Sequence, residues 1–210
     1  MADDLNTVKS DDSEGRAYHH GALRPALIDA AEAVIAERGL DRFSLRETAR
    51  RAGVSPAAPA HHFKDVRGLL TAIAAQAFAD LAGALEAATA AAGTDREARI
   101  RGQGMAYVSF ALDRPARFDL MWRKALLDHE DPHLSEASSR AWQLLDSAVR
   151  GPGAPHTGPL DPALAPSTAA WSIVHGFARL AIDGAFGPEP DAAHLAAQTI
   201  LPLVLDHLRV

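Results

Sequence analysis

The sequence predicts an all-α protein. Apolar residues recur at three- and four-residue spacing along nearly the whole chain, no run of alternating β-branched residues appears, and Ser, Asp, Pro and Gly fall where helices start and stop. With 210 residues and 48% hydrophobic content, the chain can bury a sizeable core as one large or two small domains. No eighteen residues run uninterrupted as apolar, so no membrane span is expected. The start MADDLNTVKSDDSEG has no basic segment followed by an apolar one, and the absence of Cys excludes a disulfide framework, so the cytoplasm is the expected compartment.

The first helix is expected over Leu23 to Arg38, with Leu27, Ala30, Ala31, Val34 and Ile35 on one stripe and Gly39 ending it in a left-handed conformation. Ser44 and Glu47 have capping-box spacing and start a short helix from Leu45 to Ala52, which Gly53 stops. Ser55 is expected to cap the third helix, with Pro56 at its first position and Pro59 less comfortably placed. Asp65 caps a long helix reaching about Ala91, and the small-residue run AATAAAGT follows. Further helices are expected over Arg96 to Arg114, Pro115 to His129, Leu134 to Arg150, Ala163 to Phe186 and Asp191 to Leu208. The Pro- and Gly-dense stretch GPGAPHTGPLDPALAP, residues 151 to 166, reads as a surface loop.

The net charge of −6 excludes a uniformly basic surface, but the charges are unevenly spread. Residues 15 to 70 hold nine Arg or Lys against six Asp or Glu, whereas the stretches on either side are net acidic. Only this block suits a polyanion. Its second and third helices, joined by Ala-Gly-Val-Ser, have the helix-turn-helix layout, in which a helix about 10 to 12 Å across enters the major groove and a tight turn braces it. Ala49 is expected where the two helices approach, Gly53 turns the chain, and Val54 anchors the turn.

The block YHHGALRPALIDAAEAVIAERGLDRFSLRETARRAGVSPAAPAHHFKDVRGLL, residues 18 to 70, resembles the DNA-binding domain of the TetR family of bacterial transcriptional regulators. AWSIVHGFARLAIDG, residues 170 to 184, is similar to the W-x-x-x-H-G segment that marks one C-terminal subtype of that family. The resemblance implies a three-part division: an acidic, disordered tail over 1 to 17, a helix-turn-helix domain over 18 to 70, and a helical ligand-binding and dimerisation domain over 71 to 210. It further implies a homodimer through the helices near 163 to 186 and 191 to 208, a double-stranded palindromic operator, a small-molecule effector and, usually, repression. No enzymatic activity, cofactor or metal comes with it.

Carried over by position, Ser44 meets a phosphate and residues 56 to 62 lie in the major groove, where Pro56, Ala57 and Ala58 are small enough to touch a thymine methyl and His61 and His62 can donate. The family usually has Tyr where Ala60 stands and Lys where Val66 stands, and both normally grip phosphate. Ser55, Lys64 and Arg67 flank these empty positions, and either cation can substitute for the lost grip, as can Tyr18, His19 and His20 before the first helix. Arg46, Arg50 and Arg51 either reach phosphate or form a solvated face. The alternative reading is a ligand-binding dimer whose DNA affinity is weak or lost and which acts through another partner.

In the C-terminal part, Phe110, Phe118, Trp122, Trp142 and Trp171 are first of all core, with His175 beside them, and some of this set would line a pocket for an apolar effector. DHEDPH, residues 128 to 133, offers His129 and His133 with carboxylates, but Pro132 prevents a regular helical ligand pair, so a polar loop is expected there.

Overall fold

The computed structural model describes residues 13–208, with side chains described from Leu23 onward, and every regular element among them is helical. The acidic residues 1–12 and the side chains of Tyr18, His19 and His20 lie outside the described residues. The chain divides into two compact units, one ending at Asp65 and the other starting at Val66.

In the first unit, α1 runs Ser13–Arg38, beginning well before the expected Leu23, with Pro25 inside it. Leu27, Ala30, Ala31, Val34 and Ile35 are all buried, as the stripe predicts. Gly39 at φ 76° closes α1, its amide donating to Ile35 O at 2.8 Å. A 3-10 turn, Leu40–Arg42, leads to α2, Leu45–Arg51, and then to α3, Ala58–Phe63. Ser44 caps α2 by accepting from the Glu47 amide at 3.3 Å. The other half of the capping box does not form, because Arg38 and Arg50 take the Glu47 carboxylate instead.

The third helix starts later than Ser55 and Pro56 suggest. Its N-cap is Ala57, no side chain caps it, and Ser55 contributes only its carbonyl, to a turn closed by the Ala58 amide at 3.0 Å. Pro59 accounts for the shift. A start at Pro56 would put its missing N–H where an intrahelical bond is due, whereas a start at Ala58 puts it in the first turn, where the amide has no partner anyway.

In the second unit, α4, Val66–Ala92, is the central helix, packing chiefly against α7, Pro132–Arg150, and α5, Arg96–Asp113. It is long and apolar enough to cross a membrane, but 61% of its most apolar window is buried within the protein, through residues such as Leu69, Ile73, Phe78 and Leu81. It acts as a core helix. Truncating a fully buried side chain such as Ile73 to Ala would cost about 2–5 kcal/mol.

Three expected helices are shorter or broken. Residues Pro115–Met121 form α6, which stops before a 3-10 turn, Lys124–Leu126, rather than running to His129. The carbonyl of Leu127 and the amide of Asp128 are taken by tertiary hydrogen bonds from and to the first turns of α4, so they cannot join a helical ladder. Helix α8, Ala165–Ile182, stops short of Phe186 in a Schellman arrangement: Gly184 has φ 80°, Ala185 donates to Leu180 O at 2.9 Å and Gly184 to Ala181 O at 3.2 Å. The last expected helix is two, α9, Ala192–Thr199, and α10, Leu201–Asp206, because Pro202 has no N–H for the ladder and falls in the first turn of the second piece.

The loop between α7 and α8 is tied down at its root. Arg150 pairs with Asp146 at 2.6 Å and also donates to Pro155 O at 3.1 Å and Ala154 O at 3.3 Å. Buried Ser167 of α8 donates to the same Asp146 at 2.6 Å, and the Arg150 hydrogen bond, with that of Ser167 adding to it, holds the carboxyl below its ordinary range.

Candidate functional site

The first unit brings the residues around the turn onto one surface. Ser44, Arg46, Glu47, Arg50, Val54 and Pro56 line a single shallow depression, so the start of α2 and the approach to α3 face the same way. Gly53 at φ 69° makes the turn, and buried Ala49 accepts the Val54 amide at 3.0 Å, while Val54 itself is half-buried. Ser55, Pro56, Ala57, Ala60 and His61 are exposed, and Ala58 and His62 half-exposed. Pro59 and Phe63 turn inward, the latter under the Arg24 guanidinium at 5.2 Å from the ring centre.

The arginines divide sharply. Arg51 donates to Glu37 at 2.7 Å and Arg50 to Glu47 at 2.7 Å, while Arg38 reaches Glu47 at 2.9 Å. The Arg50 hydrogen bond is the main reason the Glu47 carboxyl is pulled down to about 2. Arg46 is exposed and in no ion pair among the described residues. Ser44 accepts one bond and keeps its hydroxyl proton free to donate.

Lys64 closes α3 in an unusual way. At φ 68° and ψ −56°, with the Asp65 amide donating to Phe63 O at 2.8 Å, it is the centre of a positive-φ γ-turn, a conformation that is rare and strained for a residue with a Cβ.

The second unit contains a cavity of about 260 Å³. Phe78 and Leu81 of α4, Tyr107 of α5, Trp142 of α7 and Trp171 of α8 line it, together with Met121, Trp122, Lys124, Leu127 and His129 from α6 and the segment after it. All three tryptophans of the chain are in this wall. Of the six residues expected at a pocket, Trp122, Trp142 and Trp171 line the cavity and three do not. Phe118 is fully buried behind the wall, edge-on to Trp122, Phe110 is core, and His175 stands in the layer between.

That layer holds a directed chain of hydrogen bonds. Trp171 Nε1 donates to the Tyr107 hydroxyl at 3.3 Å, which leaves the Tyr107 proton to be donated to His175 Nδ1 at 2.8 Å. The acceptor role requires a neutral imidazole protonated on Nε2. Burial, with the positive charge of Arg179 adding to it, holds His175 below its ordinary value and so favours that form; burial likewise pushes the Tyr107 hydroxyl up. Trp122 Nε1 is buried with no hydrogen-bond partner.

One edge of the wall is fastened to α4. The Arg67 guanidinium donates to Leu127 O at 2.6 Å. Thr71 Oγ1 donates to Arg67 O at 2.7 Å and accepts the Asp128 amide at 2.9 Å. Arg67, expected beside the phosphate grip, is therefore engaged with the segment that lines the cavity.

Two family models match the chain. Residues 27–73 match the model described as bacterial regulatory proteins of the tetR family, and residues 100–203 match the tetracycline repressor-like C-terminal domain. The chain belongs to the TetR family. No curated protein matches it. Among solved structures, a protein of unknown function from Rhodococcus is similar at 36% identity over 88% of this chain and 96% of its own, with a TM-score of 0.68. A TetR family transcriptional regulator from Thermus thermophilus is 21% identical over 88% of this chain and 99% of its own, TM-score 0.64. A fatty acid degradation regulator from Bacillus halodurans is 14% identical over 89% and 96%, TM-score 0.63. The last two likenesses show the shared fold alone.

For a TetR-family chain, several cavity residues escape a reading of the sequence. Lys124 sits within an expected helix and His129 where that helix meets an expected polar loop, and the bonds from Arg67 to Leu127 O and from Asp128 N to Thr71 hold this segment to α4 beside the aromatic wall. Tyr107 carried a signal that went unused, as the tyrosine among the buried rings with a hydroxyl to satisfy.

Proposed function

We propose that this chain is an effector-responsive repressor of the TetR family, in the W-x-x-x-H-G subtype, that binds a palindromic operator as a cytoplasmic homodimer and releases it when a small molecule fills the aromatic cavity. It binds and releases, with no reaction to catalyse. The observation that carries the reading is the fastening of the cavity wall to Arg67 and Thr71, the first turns of α4, in the chain directly after the reading head. A molecule that displaces the 122–131 segment would move those turns and thereby bias the separation of two heads, which must match about 34–36 Å to occupy successive grooves.

In the DNA complex, Ser44, Arg46 and Lys64 would hold phosphate, with His61 and His62 donating to phosphate or base edges, and Pro56, Ala57 and Ala58 would meet base edges. The homodimer would form on α8, α9 and α10, where Leu180, Leu195, Ile200 and Leu203 are 54, 59, 42 and 61% exposed. A second reading, a ligand-binding dimer with weakened DNA affinity, is favoured by the exposed Ala60 and Val66 where grip is usual, and by the engagement of Arg50 and Arg51 with carboxylates.

Binding to the DNA upstream of its own gene, measured at low and physiological salt, separates the two. The repressor reading predicts specific binding at physiological salt, and sequence-blind, salt-labile binding alone would sink it. The double variant A60Y/V66K should tighten binding to every sequence alike and steepen the salt dependence by about two units per dimer. A changed operator preference would instead assign those positions to base reading.

A further inference from the structure

We propose that the cavity takes a planar aromatic acid, a ring system bearing one carboxylate, with its rings among the indoles and its acid at the Lys124 side of the wall. This rests on the reading of the cavity as the effector site. The body of the guest follows from the ring contacts. Trp122 and Trp171 lie 5.4 Å apart at 39°, Trp142 meets Trp171 edge-on at 6.1 Å and 77°, and Phe78 meets Trp122 edge-on at 5.6 Å. A wall already built of tilted and edge-to-face pairs extends to a flat guest by the same geometry, which an alkyl chain cannot reproduce.

The charge of the guest follows from what the wall holds and what it lacks. Among the described residues no Asp or Glu lines the cavity, whereas Lys124 and His129 do. A cationic guest would lose hydration, meet an ammonium and find no counter-charge, while an anion would gain a charge-assisted hydrogen bond. The hydrogen-bonding inventory agrees. The Tyr107 hydroxyl is satisfied internally, accepting from Trp171 and donating to His175. Ser138 Oγ donates to Ser135 O and His129 Nε2 is held by Lys124 O, whereas the exposed Lys124 ammonium is in no ion pair among the described residues and remains a charged donor for the guest.

Because all three tryptophans line the cavity, intrinsic fluorescence of the full chain reports its occupancy, with calorimetry as the second readout. The probes are naphthoate, naphthamide, trimethylnaphthylammonium and decanoate, each titrated into wild type and Lys124→Gln. Naphthoate is expected to bind tightest, about fivefold tighter than naphthamide, with the gap closing in Lys124→Gln because the acid loses more affinity than the amide. Equal binding of acid and amide, or tightest binding by the ammonium or by decanoate, overturns the aromatic-acid class and leaves the effector cavity standing. If none of the four changes tryptophan emission or gives heat, the cavity reading itself fails and this inference with it.

Discussion

Lys64 holds a backbone conformation that favours glycine, at the boundary where α3 ends and α4 begins. Strain of this kind costs on the order of 1 kcal/mol and persists where something else benefits from it. Here the benefit would be a solvated ammonium at the end of the reading helix, near the empty grip positions Ala60 and Val66. Lys64→Gly should therefore raise the melting free energy by about 1 kcal/mol while weakening operator binding. A variant that is stabilised yet binds DNA undiminished would remove Lys64 from the interface. His175 makes a second residue-scale prediction. Its imidazole is held below the ordinary 6.5, so the unfolded chain takes up a proton before the folded one does. The stability it contributes is present above pH 6.5 and is lost as pH falls toward its folded value. Between about pH 7.5 and about pH 5.5, wild type should lose more stability than His175→Gln in parallel denaturant titrations. Equal losses would mean that the hydrogen bond from Tyr107 does not depend on a neutral ring.

At the scale of elements, the fastening of the wall to α4 invites a conservative change. Thr71→Val keeps the shape of a nearly fully buried side chain but leaves the Asp128 amide without its acceptor, at a cost of about 1 kcal/mol. It should bind effector with little change and yet respond poorly, so that operator release needs far more ligand in a gel-shift titration; an unaltered release curve would rule this route out. The helices themselves were largely legible where Ser44 and Gly39 mark ends by local hydrogen bonding and backbone freedom, whereas the cap that Asp131 provides starts α7 at Pro132, inside the stretch expected to be polar loop, and not at Leu134. Misreadings fall where a start or stop depends on more than the neighbouring residues. Pro59 and Pro202 shift or split helices according to which amide can be spared, and Leu127 leaves a helix to satisfy Arg67, sixty positions away in sequence. The cavity was legible in its ring types and not in its partition, since whether Phe118 or Trp122 faces the hollow is decided by packing across four helices.

For the whole molecule, the exposed apolar residues on α8, α9 and α10 carry the prediction. A charge at Leu203, the most exposed of them, should disfavour pairing of two copies. Leu203→Arg is expected to sediment as a monomer and to lose most operator affinity, because a single head forgoes the second half-site; a dimer that persists would move the interface elsewhere. Another consequence lies in the root of the α7–α8 loop. With Asp146, Arg150 and Ser167 fixing where the chain leaves and returns, the loop is a closed ring whose circumference matters little: each doubling of its length costs only about 0.6 kcal/mol. Its tip, at Leu160, 95% exposed, is thus a natural splice point, where an inserted peptide or even a small domain would ride on the second unit without entering its core.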